Sequence, residues 1–421
     1  MSSSDSSSDS SSEYEDILLD HIWLYSPGTK LRLQPHTPLP PYGSHLYPLP
    51  PGITTADMRL SAEERSFSLT RLVFDPANGP RARENQHDED AEMVVEIIAM
   101  IGGTPGRGYK PGPQKLLCQV LEASPLQAEA EQKRATEGQY LFLKIFDPLF
   151  WYKFVSMAQR SVKITSQADS AFSDEFGAYH HLYGHYLTGF SGVDFDRTGF
   201  SPIAPGFFGG WTTTLTSSHD AFANQTRKVA VLAVEYIEGV CLQQLFRRSG
   251  PTQQTVTINA NNTHGPTASF GTDQTQRMQI VAQLMNGTVA QEFCGVDHCG
   301  VRPKNVIITM TNMGQLLEKP RAVLVNYSQA IVDSLRKEPA KMWEYFPKKP
   351  HPVLRFGWFR LVHFEGWVPL EWRGPEHDID DCPQLDKWMI DTFGTIQDTN
   401  PQYTTLVLGA PRIPAESDRG S

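Results

Sequence analysis

The sequence has few cysteines and no long apolar run. Five cysteines occur in 421 residues, and this odd, sparse set fits a reducing compartment better than a disulfide framework. No apolar stretch approaches the roughly 18 residues of a membrane-spanning helix. The first residues also lack the basic and then apolar pattern of a secretory signal. We therefore expect a protein of the cytoplasm or nucleus that makes no contact with a membrane.

Basic residues are scarce as well. The first twenty residues carry six acidic side chains and no lysine or arginine. The net charge is -10, so the rest of the chain carries about -4 (-10 minus -6). Because no basic patch stands out, the sequence does not indicate a nucleic-acid partner. A hydrophobic content of 39% and an aromatic content of 10% are enough for a sizeable core.

The amino-terminal part is typical of an extension rather than of a domain. Residues 1–12 are rich in serine and aspartate and are predicted to be a disordered tail, as are residues 413–421. Residues 13–92 form a proline-rich extension, with eight prolines between 26 and 56. This composition predicts an extended linker or a surface wrap. One strand is predicted within it, at 67–74.

After residue 92 the pattern indicates a folded domain. Apolar runs rich in β-branched residues predict strands at 93–101, 115–121, 140–145 and 229–236, and two shorter strands at 306–309 and 322–325. Apolar residues at helical spacing predict helices at 169–187 and 272–293. The segment 249–275 is rich in Gln, Thr, Asn and Gly and is predicted to be a mobile insertion. This order suits a small β-rich lobe followed by a larger lobe.

The segment 298–305, HCGVRPKN, is the most informative motif of the chain. The catalytic loop of protein kinases follows the pattern H-R-D-L-x-x-x-N, in which the aspartate accepts the proton of the substrate hydroxyl. His298 and Asn305 have the required spacing, and Arg302 stands where a lysine is familiar. Gly300 occupies the aspartate position. A glycine has no side chain that could accept a proton.

Lys144 is predicted to lie inside an apolar strand, where an unpaired ammonium group would be costly. Glu175 on the following predicted helix is the expected partner. Kinases hold their phosphate-binding lysine with a glutamate in the same way. The alternative is an edge-strand lysine that points to solvent.

The end of the strand at 229–236 resembles the hinge between kinase lobes. There the adenine hydrogen-bonds to backbone groups, so side-chain identity matters little. The matching residues are Val234, Glu235, Tyr236 and Ile237. Any junction between a strand and a turn is the alternative interpretation.

Together these motifs resemble the protein kinase-like superfamily, and in particular the divergent kinase-like proteins common in fungi. The resemblance covers roughly residues 93–335. It implies an α+β, two-lobed fold, with a small antiparallel β lobe at 93–239 and a larger, mainly helical lobe at 240–412. It also implies ATP as the candidate ligand, in a cleft lined by Lys144, Asn305 and the hinge.

The departures from the family pattern concern the metal and the phosphates. Asn326 stands where the family's D-F-G aspartate binds magnesium, and a neutral amide oxygen is a weaker ligand for this hard cation than a carboxylate. The metal ligands would then be Asn305 and Asn326, so we expect weak magnesium binding or none. The glycines between 102 and 108 do not have the spacing of the glycine-rich loop.

The sequence therefore predicts a pseudokinase, meaning a catalytically impaired kinase-like domain that binds a nucleotide or regulates a protein partner. The sequence does not identify that partner. An alternative is an active, atypical ATP-dependent phosphotransferase, because positioning and electrostatics dominate this chemistry. A third interpretation is an unrelated α+β protein.

Overall fold

The computed structural model describes residues 23–83, 92–102, 112–123, 134–151, 162–187, 203–217, 219, 222–259, 267–312, 314–339, 348–356, 361–372, 382–397 and 399–405. The chain divides into two compact units. The first comprises residues 1–188, 205–236 and 327–329, and the second comprises the remainder. The expected tails at 1–12 and 413–421 and the glycines at 103–108 lie outside the described residues. No helix in the described residues has both the length and the apolar character needed to cross a membrane.

The first unit is built on a closed barrel of six antiparallel strands. They are β1 (Lys30–Pro35), β2 (Met93–Gly102), β3 (Gln114–Glu122), β4 (Tyr140–Phe146), β5 (Phe207–Thr216) and β6 (Thr226–Glu235). Their order around the barrel is β1-β2-β3-β4-β6-β5. β2, β3, β4 and β6 confirm four of the strand predictions, because their apolar, β-branched residues pack inside the sheet. β1 closes the barrel by pairing with both β2 and β5.

A buried cluster of charged and polar groups joins Tyr25, which lies just before β1, to this barrel. The Tyr25 hydroxyl donates to Asp147 at 2.7 Å, and Arg227 on β6 donates to the same carboxylate at 2.7 Å. All three side chains are almost fully buried. Burial, and then the nearby Asp147 carboxylate, raises the pKa of Tyr25 far above its usual value, so its hydroxyl stays a donor. The residues just before β1 therefore belong to the folded core of this unit.

Two helices complete the first unit, α1 (Leu69–Phe74) and α2 (Ile164–Leu187). The strand predicted at 67–74 is wrong. Ser68 accepts a hydrogen bond from the Arg71 backbone N–H, and this cap begins a short helix instead. The helix predicted at 169–187 is confirmed and starts five residues earlier. Its buried face carries aromatic residues at helical spacing, Phe172, Phe176 and Tyr179.

The described part of the second unit contains eleven short strands and three helices. The strands are β7 (Gly239–Cys241), β8 (Phe246–Arg247), β9 (Gly250–Pro251), β10 (Thr255–Asn259), β11 (Thr267–Gly271), β12 (Val296–Asp297), β13 (Val306–Asn312), β14 (Gln315–Leu324), β15 (Ile331–Val332), β16 (Lys349–Pro350) and β17 (Tyr403–Thr404). The helices are α3 (Gln274–Phe293), α4 (Pro352–Arg355) and α5 (Pro383–Phe393). The helix predicted at 272–293 is thus confirmed. The two short strands predicted at 306–309 and 322–325 are the ends of the longer β13–β14 hairpin.

Helix α3 lies in the core of the second unit. Leu284, Met285 and Val289 are almost fully buried, and Trp367 packs in the same apolar cluster. Burial of each of these large apolar side chains stabilises the unit by about 1.5–3 kcal/mol. The helix begins at a cap, because the Asp273 carboxylate accepts the backbone N–H of residue 276.

The predicted fold, two kinase-like lobes of which the larger is mainly helical, is wrong. The described chain is mostly antiparallel sheet, with a closed barrel in one unit and only five α-helices in all.

The segment at 249–275, predicted to be a mobile insertion, contains the β10–β11 hairpin. There Val256, Ile258 and Phe270 are buried and alternate with polar residues. The β-branched residues threonine, valine and isoleucine favour strands over helices, and burial at a period of two is typical of a strand. This segment therefore adds strands, not helices, to the second unit.

Candidate functional site

Lys144 and Glu175 form a buried ion pair in the first unit. The Lys144 Nζ lies 2.6 Å from Glu175 Oε1 and 2.7 Å from Oε2. Strand β4 carries the lysine and helix α2 carries the glutamate. The side chains are 6% and 1% exposed. The structure thus brings together the two residues that the sequence paired, whereas their role in binding a nucleotide stays a prediction.

One aromatic residue of α2, Tyr179, lies near this pair. Tyr179 lies one helical turn after Glu175, and its ring stacks on Phe207 at 5.8 Å. Burial, followed by the Glu175 carboxylate, raises the pKa of Tyr179 far above its usual value. The phenol therefore stays neutral, and Lys144 is the cation that balances the buried Glu175 charge. Removing one partner from such a pair costs about 3–5 kcal/mol, because the other charge is left uncompensated.

The predicted hinge residues lie at the end of β6. Val234 and Glu235 are buried, and β6 ends at Glu235. The backbone N–H of Glu235 donates to the Gly206 carbonyl at 2.7 Å, and its carboxylate accepts the Gly206 N–H at 2.9 Å. This backbone donor is therefore already used within the first unit. Tyr236 ends this stretch of the first unit and Ile237 begins a stretch of the second.

The loop at 298–305 in the second unit is held by hydrogen bonds among its own residues and to Val325. The Asn305 side chain donates to the Gly300 carbonyl at 2.8 Å. The Gly300 N–H donates to His298 Nδ1 at 3.2 Å, and His298 Nε2 lies 3.1 Å from the Val325 carbonyl. The structure thus brings His298, Gly300 and Asn305 together. Arg302 is exposed, and its side chain lies away from these contacts, on the wall of a pocket described below.

These contacts favour one tautomer of His298. Nδ1 accepts a hydrogen bond from a backbone N–H, so it carries no proton. Nε2 faces a carbonyl oxygen, so it carries the proton and donates. His298 is 1% exposed, and both nitrogens serve the loop. It is therefore a positioning residue and is not free to act as a base.

Among the described residues, no contact places a carboxylate beside Gly300. The nearest acid in sequence is Asp297, and its Oδ1 accepts the Cys299 N–H at 2.9 Å and lies 3.4 Å from Arg355 Nη2. Arg355 also pairs with the buried Glu292. Burial raises the pKa of Glu292 to about 7, although Arg355 opposes the shift. No sequence motif predicts this Arg355 cluster, because its members lie about sixty positions apart.

The two predicted metal ligands are both neutral amides. The Nδ2 of Asn305 is used by Gly300, so Oδ1 is the atom that could face a cation. Asn326 has a φ of 71°, in the left-handed region that asparagine tolerates better than most residues. In the described ranges, no group of three or more His, Cys, Asp or Glu side chains is arranged to hold a metal ion. Lys144 and Asn305 belong to different units, so the cleft that they were expected to line stays a prediction.

The chain matches no protein-family model, and no curated protein is significantly similar to it in sequence. The functional interpretation therefore rests on these residues and their geometry. The elements that it uses are the buried pair in the first unit and the hydrogen-bonded loop in the second.

Proposed function

We propose that this chain is a catalytically silent, nucleotide-binding module of the pseudokinase kind, which regulates a protein partner and does not transfer phosphate. The buried pair of Lys144 and Glu175 is the observation that carries the proposal. ATP is the proposed ligand, and Lys144 would contact its phosphates. The chain does not have a two-lobed kinase architecture. Only these motifs, and the chemistry that they retain, support this function.

The bidentate geometry of the pair supports a binding role. A lysine at this depth, on a strand of otherwise apolar residues, adds no net stability that a leucine could not supply. Both carboxylate oxygens are within 2.7 Å of Nζ, which fixes the position of the ammonium group. Such a fixed cation suits a phosphate oxygen.

The geometry of the loop supports catalytic silence. General-base catalysis contributes roughly 10²- to 10⁴-fold to rate and needs an acceptor within hydrogen-bond reach of the proton. Gly300 offers none, His298 is used by the loop, and Asp297 accepts the Cys299 N–H. Magnesium would gain little from Asn305 and Asn326, because their amide oxygens carry no charge.

The test is an ATP titration of the whole chain, followed by thermal shift and by calorimetry, with and without magnesium. We expect weak binding that magnesium hardly changes and that Lys144→Met abolishes. That variant also loses stability, so a matched control is needed. Arg227→Met breaks another buried ion pair of the same unit, with Asp147. It should lose a similar amount of stability and keep ATP binding at temperatures where both variants are folded.

The outcomes separate the alternatives. Equal loss of ATP binding in Lys144→Met and Arg227→Met would mean that the Lys144 pair is only structural, as would the absence of ATP binding in the native chain. Phosphate transfer or ATP hydrolysis that Lys144→Met abolishes would instead favour an active, atypical phosphotransferase. Strong stabilisation that appears only with magnesium would contradict the metal prediction.

A further inference from the structure

The second unit carries a pocket of about 410 Å³ with a positively charged rim. Arg248, Arg302 and Lys304 lie on its walls, and Glu365 is the one acid among the described residues that line it. The lining charges therefore sum to a positive value. Phe246 and Val362 add apolar surface to the same walls. A volume of this size suits a small organic group rather than a bare ion.

Two of the cations are available to a ligand. Arg302 and Lys304 flank the buried Pro303, and both are exposed. Within the described residues, neither side chain has a carboxylate in ion-pair distance. Arg248 is only loosely paired, because its Nε lies 3.5 Å from Glu365 and its side chain is 90% exposed. An anion could therefore contact these groups without first breaking a strong ion pair.

Val362, His363 and Glu365 line one part of the pocket, and the residues that follow them are held by helix α3. Arg277 on helix α3 donates to the carbonyls of Gly366 at 3.0 Å and Trp367 at 2.8 Å. The Trp367 indole donates back to the Arg277 carbonyl at 3.2 Å and its ring lies 5.8 Å from Phe246. These contacts fix the wall against the core of the unit. A preformed wall lowers the entropy cost of binding.

We propose that this pocket binds the phosphate monoester of an organic ligand. A phosphate ester carries close to two negative charges at neutral pH and three acceptor oxygens, which matches the three cations that line the pocket. Arginine forks pair with phosphate through two hydrogen bonds, and lysine adds a point charge. The organic part of the ester would cover Phe246 and Val362, which free phosphate would leave exposed to water.

This inference does not depend on the proposed function. Every residue that it uses lies in the second unit, whereas Lys144 lies in the first. Lys144→Met should therefore leave binding in the pocket unchanged. Binding of a nucleotide through Lys144 and binding of an ester in the pocket can therefore be tested separately. The failure of one does not imply the failure of the other.

The experiment is calorimetric titration of the whole chain with four probes. These are a phosphoserine peptide, the same peptide without phosphate, a nucleoside 5′-monophosphate, and inorganic phosphate. Arg302→Gln/Lys304→Gln removes two charges from the pocket. Lys319→Gln/Lys387→Gln removes the same charge from exposed sites elsewhere on the unit. The peptide and nucleotide arms show which source of ester the pocket prefers.

We expect at least one ester to bind and the pocket variant to weaken that binding on the order of tenfold to a hundredfold, as the loss of two hydrogen bonds at exposed sites implies. The control variant should bind as the native chain does. Val362→Asp, which adds a negative charge and keeps every cation, should also weaken binding. Three results would overturn the proposal: no ester binds, inorganic phosphate binds as tightly as the esters, or the control variant loses as much affinity as the pocket variant.

Discussion

The side-chain amide of Asn305 donates a 2.8 Å hydrogen bond to the backbone carbonyl of Gly300. This bond spans the loop at 298–305 and orients the peptide at Gly300. The loop therefore has an ordered backbone, and the catalytic role of this segment stays a prediction. Its hydrogen bonds stabilise the second unit whether or not the loop ever contacts a ligand.

Asn305→Asp should destabilise the second unit. The substitution replaces a donor with a carboxylate oxygen that faces the Gly300 carbonyl, and the site is 9% exposed. Leaving a buried acceptor without its donor costs about 1–3 kcal/mol. Urea unfolding measures the change. Asn312→Asp is the control, because Asn312 is exposed at the end of β13 and should shift stability by less than about 0.5 kcal/mol. Equal effects at the two sites would contradict the role given to the Asn305 bond.

Gly300→Asp together with Asn326→Asp should produce measurable ATP hydrolysis. The first change supplies a proton acceptor, and the second supplies a charged carboxylate that could hold a metal ion. A Cβ at residue 300 would lie 3.3 Å from Asn305 Nδ2 and 3.4 Å from His298 Nδ1, so the neighbours must move by a few tenths of an ångström. Residue 326 has a φ of 71°, which aspartate tolerates almost as well as asparagine.

The expected gain over the native chain is on the order of 10²-fold, the lower range of general-base catalysis. Gly300→Asn with Asn326→Asp is the matched control, since it has nearly the same volume at residue 300 and no base. If the aspartate variant folds, binds ATP and hydrolyses it no faster than this control, the missing base is not what silences the loop.

Lys349 should make stability depend on pH in the alkaline range. It is 3% exposed, and burial lowers its pKa from 10.5 to about 8. Between these two values the unfolded chain binds a proton that the folded chain lacks, so the unfolding free energy contributed by this group rises with pH. The rise begins near pH 8 and ends near pH 10.5.

Lys349→Met should remove this rise. The difference in unfolding free energy between the native chain and the variant separates the contribution of Lys349 from that of other groups that titrate at alkaline pH. We expect the native chain to gain stability relative to the variant by an amount on the order of 1–3 kcal/mol across the window. Chemical unfolding at several pH values measures it. Parallel pH profiles for the two proteins would show that Lys349 keeps an ordinary pKa in the folded state.

Gly366→Ala should destabilise the second unit strongly. A Cβ at this residue would lie 1.9 Å from the Arg247 carbonyl oxygen, and the backbone has a φ of 97°. Gly314→Ala is the matched control, because Gly314 has a φ of 79° and no atom within 4 Å of the added carbon. The control should cost only the left-handed backbone strain, roughly 1–2 kcal/mol. A similar Tm for both variants would mean that β8 can move away from residue 366.

Local patterns were enough to predict the elements whose residues agree with a single period. The four strands at 93–101, 115–121, 140–145 and 229–236 and both long helices were predicted, because each carries a continuous apolar face. The partnership of Lys144 with Glu175 was also predicted, since a charge inside an apolar strand needs a counter-charge.

Only the tertiary structure revealed the barrel, the second unit and the network around the loop. β1 pairs with β5 through Gln34 and Thr212, which are more than 170 residues apart in sequence. The short sequence of β1 does not specify such a distant partner. The clusters around Arg355 and Arg277 likewise join residues about sixty to ninety positions apart. The sequence by itself determined which segments must bury a face and which charge needs a partner. The three-dimensional packing decided which segments meet, because a strand edge or a buried charge accepts any complementary partner that the chain can bring to it.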